Sequence, residues 1–178
     1  MEISIRERKF SWRTTFEITA GAESYLARHE FYFFRKSFTV EAEGRGQQAR
    51  VAKTDFFRTR YEFAFADGRM GRFGCEKLWR GVYVCECGAE TYRLYRHRGR
   101  RWSIFRDGRQ IAACTKNLVV FAKGNNYRIR ADHDADAMVL VCMMISLAPH
   151  DNDNQGINLD LGNLGPEERP FDESWEPR

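Results

Sequence analysis

Residues 134–147, DADAMVLVCMMISL, form a helix-length run with almost no polar face, placed after about 130 residues of strand-like sequence. Asp134 is placed to cap the helix, and Asp136 sits in its first turn, where free N–H groups favour an anion. From Ala137 to Leu147 only Ser146 is polar. A helix that is apolar on every side must be surrounded, by protein or by lipid. Its roughly 13 residues span about 20 Å, short of a bilayer core of about 30 Å. The segment is therefore expected to be enclosed by the sheet that precedes it.

The preceding residues supply that sheet. Loose alternation over 3–18 reads as one or two strands, and the aromatic run of 24–40, with Tyr25, Phe31, Tyr32, Phe33, Phe34 and Phe38, also suits strands. Residues 43–48 read as a turn. Period-two segments at 60–66 and 69–73 flank Asp67-Gly68, a dipeptide suited to both positions of a type I′ turn. Further pairs follow: 82–87 with 91–96 around Gly88, 102–106 with 109–114 around Asp107-Gly108, and 118–122 with 127–130 around 124–126. Turns at about ten-residue spacing predict a mainly β chain, an antiparallel barrel or sandwich of up to about 12 short strands.

The order of elements narrows this. Trp102-Ser-Ile-Phe-Arg-Asp-Gly-Arg-Gln-Ile-Ala112, then Asn125-Asn-Tyr-Arg-Ile-Arg130, then directly the apolar run 132–147, resembles the tubby C-terminal-like superfamily, in particular the LURP-one-related group, with phospholipid scramblases more distant. The resemblance covers about residues 3–148 and has no catalytic signature. It implies a closed antiparallel β-barrel of about 12 strands enclosing a central hydrophobic C-terminal helix. It also implies a binding role: tubby domains take phosphoinositide head groups on a basic surface, and scramblases act at membranes. No tubby head-group residue can be placed on this chain by motif.

The charge distribution agrees with such a role. Residues 1–148 hold 27 Lys/Arg against 17 Asp/Glu, a balance of +10, while residues 149–178 hold 2 against 8, a balance of −6. A basic body suggests an anionic partner, or an acidic tail that covers it. The division expected is a barrel over 1–148 and an acidic tail over 149–178, partly disordered or packed on the barrel. Disorder of about the last ten residues is favoured over a second domain, with Phe171 and Trp175 among the apolar spots available as pins.

The densest basic stretch supplies the candidate ligand-binding residues: Arg93, Tyr95, Arg96, His97, Arg98, Arg101 and Arg106. On a strand Arg93, Tyr95 and His97 share the face opposite Leu94, and Arg101 and Ser103 face outward if Trp102 and Ile104 are buried. Arginine forks match phosphate oxygens bidentately, although barrel exteriors also need charge for solubility and edge protection.

Other chemistry finds less support. Cys85-Glu-Cys87 with Cys75, His97 or Cys114 is a conceivable zinc set, but Cys-x-Cys lacks the tight turn of a zinc ribbon or knuckle, and no metal is expected. The five cysteines suit free thiols, with Cys142 as packing inside the helix. Asp151-Asn-Asp-Asn-Gln-Gly156 begins like a calcium loop but meets Gly162 where the closing carboxylate is due. No nucleophile elbow, phosphate loop or zinc-protease motif occurs, and the histidines are scattered, so no enzyme and no cofactor is expected. The first residues lack a signal-type apolar region, and no run reaches membrane-span length.

The expectation is a non-catalytic cytoplasmic binding module for anionic phosphorylated ligands or lipid head groups, peripheral at the inner membrane surface. Nucleic acid is a less favoured partner. Two alternatives stay open: a protein-interaction scaffold with a regulatory tail, and a lipocalin-like carrier or enzyme whose helix packs outside an open cavity.

Overall fold

A computed structural model of the chain describes residues 1–10, 13–32, 35–55, 58–118, 125–148 and 166–178. Twelve strands close into one antiparallel barrel: β1 (Glu2–Phe10), β2 (Arg13–Ala20), β3 (Glu23–Tyr32), β4 (Arg35–Ala42), β5 (Gly46–Lys53), β6 (Arg60–Phe65), β7 (Met70–Lys77), β8 (Val82–Cys87), β9 (Glu90–His97), β10 (Arg101–Arg106), β11 (Arg109–Leu118) and β12 (Asn125–Ala131). Each strand pairs with its neighbours in sequence, and β1 closes on β12 with Ile3 opposite Ile129. A 3₁₀ turn (Leu78–Arg80) joins β7 to β8, and one helix, α1 (Ala137–Leu147), follows β12.

Alternation puts one apolar set inside the cylinder: Ile3 and Ile5, Phe16 and Ile18, Phe38 and Val40, Phe63 and Phe73, Leu94, Trp102, Ile104 and Ile129 are all buried. Eight strands leave room only for side chains; twelve leave room for a helix about 10 Å across. α1 fills that space. Val139 to Ser146 are fully buried within the same core, and the one polar side chain, Ser146, donates to the Cys142 carbonyl at 2.7 Å. The helix approaches β5 most closely, where the inward residues Ala49 and Val51 are small. The helix is therefore enclosed, and the arrangement with a helix outside an open cavity does not occur.

Several local expectations are corrected. α1 starts at Ala137, and its cap is Asp136, whose carboxylate accepts from the N–H groups of Met138 and Val139 at 3.0 and 3.1 Å. Asp134 is drawn away by Arg106 and Arg109, at 2.5 and 2.7 Å. The Asp107-Gly108 turn has both residues at positive φ, as a two-residue type I′ loop between Arg106 and Arg109 requires. At Asp67-Gly68 only the glycine does, because Asp67 accepts from the Arg69 N–H and the loop widens to place Phe65 opposite Arg69. Residues 46–53, partly read as turn, form β5. Asn125 and Asn126 lie in β12 opposite Leu118 and Asn117. The acidic loop from Asp151 to Gly156 lies outside the described residues, as do Ile157, Leu159, Leu161 and Leu164.

Residues 166–178 lie against the barrel and are not left hanging free. Arg178 closes the run: its N–H donates to Asp132 Oδ1 and its carbonyl accepts from the His133 N–H, both at 2.8 Å.

Candidate functional site

Strand parity puts Arg93, Tyr95 and His97 on the outer face of β9, opposite the buried Tyr92 and Leu94. β10 aligns Ser103 with Tyr95 and Arg101 with His97, so these side chains also face outward. The shared face expected from the sequence exists. It is not open.

The acidic tail occupies it. Glu168 is held between Lys77 Nζ and Arg80 Nη1 at 2.6 and 2.5 Å, and Glu167 accepts from the Arg98 backbone N–H at 2.6 Å. Arg101 pairs with Glu173, and its guanidinium also lies over the Phe171 ring, 4.5 Å from the centroid. Phe171 in turn covers His97 at 5.1 Å. Arg169, basic in an acidic segment, rests on the Phe105 and Tyr95 rings at 4.2 and 5.0 Å. Each contact matches a tail group to a barrel group of complementary kind.

The seven sequence-derived residues therefore do not form one patch. Arg101 is paired with Glu173, whereas Arg98 meets Glu167 through its backbone N–H alone. His97 is 1% exposed rather than presented to a ligand, because Phe171 lies over it. Tyr95 is half-buried under Arg169. Arg93 is exposed and faces Glu76 at 3.8 Å. Arg96 points the other way from Arg93 and is half-buried behind Gly81. Arg106 belongs to the far end of the barrel, near the start of α1.

That far end is a closed ionic network. Arg106 pairs with Glu90 and Asp134, Arg109 with Asp132 and Asp134, and Arg69 with Asp67 and Asp136. Hydrogen bonds donated to the Asp136 and Asp67 carboxylates push the Arg69 pKa further up. These pairs steady the helix entry, and their arginines already hold carboxylates.

The sequence reading missed the two cations nearest the tail, Lys77 and Arg80. They flank Leu78-Trp79, and all four residues are exposed. No periodicity marks a three-residue turn, and only the tertiary seat of Glu168 reveals the pair. That seat, with both cations, holds the Glu168 carboxyl down to about 2.

The cysteines point elsewhere. Cys85 and Cys87 are buried on the inner face, while His97 is on the outer one, so the sheet separates His97 from the cysteines of the conceivable zinc set. Burial pushes the Cys85 and Cys142 thiols up. Among the described residues no three His, Cys, Asp or Glu side chains are grouped for a metal, and no helix is long and apolar enough to cross a membrane.

Under the tail, His97 Nε2 shares a hydrogen bond with Ser103 Oγ at 2.7 Å, and Nδ1 is buried without a hydrogen-bond partner among the described residues. Burial pushes its pKa below the ordinary histidine value; Glu167 opposes this, and the Arg101 charge reinforces it. A histidine lowered in the seated state favours seating above the ordinary value of about 6.5, and this contribution is lost as pH falls through the lowered one. Glu168 stays ionised throughout that window. The tail is therefore expected to loosen as pH falls below about 6.5. Hydrogen exchange at 167–173, corrected for intrinsic rates, should accelerate over that range, and His97→Gln should flatten the response. An unchanged pH response in His97→Gln would assign the loosening to another group.

No family model matches the chain, and no curated protein or solved structure matches it either.

Proposed function

We propose that this chain is a non-catalytic binding module that takes anionic phosphorylated ligands, lipid head groups among them, on the outer face formed by β9, β10 and the 3₁₀ turn. Its own acidic tail is the resident competitor. The observation that carries this reading is Glu168 held between Lys77 and Arg80, with Glu173 on Arg101 and Glu167 on the Arg98 backbone N–H. Carboxylate and phosphate oxygens ask for the same donors. Exposed ion pairs are individually weak and screened by salt, so a multivalent anion can displace them. The +10 balance of residues 1–148 and the tubby-like order of elements support the same reading.

The test uses the full-length chain and its Glu167→Gln/Glu168→Gln/Glu173→Gln variant. Both are sedimented with phosphatidylcholine vesicles, with and without phosphatidylserine, at low and moderate salt. The variant should bind anionic vesicles several-fold more tightly than the parent, and salt should weaken both. Equal binding to neutral and anionic vesicles, or no gain in the variant, overturns the proposal.

A further inference from the structure

We infer that the anionic partner is a membrane surface, and that Leu78 and Trp79 insert into its interfacial layer while Lys77 and Arg80 meet the head groups. This rests on the binding face proposed above and names its partner.

Leu78 and Trp79 are 71% and 78% exposed, the most exposed large apolar side chains among the described residues, ahead of Met70 at 59%. The 3₁₀ turn has no buried residue, so the pair does no work in the core. Its position is fixed nonetheless. Gly81 ends the turn at φ 61°, its N–H donates to the Leu78 carbonyl, and its own carbonyl accepts from the Arg96 N–H at 2.9 Å. A rigid mount under two water-exposed apolar groups is costly in solubility unless something covers them.

Charge and size choose the occupant. The pair lies directly between two cations in sequence, and the turn from β9 to β10 adds Arg98 and Arg100, with Arg101 at the start of β10. Tryptophan prefers the water–lipid boundary, leucine the acyl region, and long basic side chains keep their charge among head groups. Two side chains cannot supply the roughly 800 Å² per partner of a stable protein interface. A soluble phosphate gains nothing from leucine. A lipid surface uses every group in the turn, and it competes with Glu168 for Lys77 and Arg80.

The experiment separates this inference from the reading beneath it. Leu78→Ser/Trp79→Ser is made in the full-length Glu167→Gln/Glu168→Gln/Glu173→Gln variant, where the face is uncovered. Binding is measured to phosphatidylserine-containing vesicles, and separately to inorganic pyrophosphate in solution. Vesicle affinity should fall by about tenfold or more, as loss of two buried apolar groups requires. Pyrophosphate binding should be unchanged, and Trp79 fluorescence, isolated as the difference from Trp79→Phe, should shift to the blue on vesicles. Undiminished vesicle binding in the double variant overturns the insertion and leaves the anion-binding face standing. Binding to neither probe before the substitution overturns both. Preferential binding of a single-stranded RNA oligonucleotide, lost with Trp79, also overturns the membrane assignment.

Discussion

Leu140→Asp is expected to abolish the folded state. Leu140 is fully buried one turn into α1, with the barrel around it on every side. An uncompensated carboxylate there costs several kcal/mol even after relaxation. A domain of this kind has only about 5–15 kcal/mol to lose. Leu140→Ala, which deletes volume without adding charge, should keep the fold and cost about 2–5 kcal/mol. Near-ultraviolet circular dichroism and denaturant titration distinguish the two outcomes. Parent-like stability in Leu140→Asp would mean that the apolar helix faces solvent, and the architecture would be wrong.

Gly81→Ala should be the most damaging glycine-to-alanine change among the described residues. A Cβ at that position meets Arg96 Cβ at 2.6 Å, and Arg96 Cβ belongs to a paired strand that cannot swing away. The backbone at φ 61° adds left-handed strain. Strain and overpacking together should cost about 2–4 kcal/mol, read as a lower denaturation midpoint at unchanged slope. Arg96→Gly in the same chain should return the steric part and leave the strain, so the pair should be non-additive. A parent-like midpoint in Gly81→Ala would mean that the 3₁₀ turn is not anchored as described, and the mount beneath Leu78 and Trp79 would lose its rigidity.

Much of the barrel was legible because turn chemistry and period-two alternation coincide at 60–73, 82–96 and 102–114. The helix was legible from its lack of a polar side. β5 was not: GQQARVAK offers only Ala49, Val51 and Ala52 as apolar residues, too little to mark a strand against polar neighbours. Those small inward residues exist to admit the helix, a reason visible only after folding. The cap was ambiguous because Asp134 and Asp136 suit the role equally; Arg106 and Arg109 decide it, and they are more than 20 residues away. The outer face of β9 followed from parity alone. What covers it did not follow, since the partners of Glu168 lie about 90 residues earlier and no local pattern encodes such a pairing.

The barrel's plug is synthesised after every strand that it fills. β1 must wait more than 120 residues for β12, and the inner surfaces of all twelve strands must wait longer for α1. Local hairpins can form as the chain emerges, but they remain a curled sheet with its greasy side unfilled until the ribosome has released residue 147 and its neighbours. Closure is thus a late event of high contact order, slow by nature and exposed to aggregation in the interval. A nascent chain stalled before Ala137 has a lining without a filling, the state most open to aggregation.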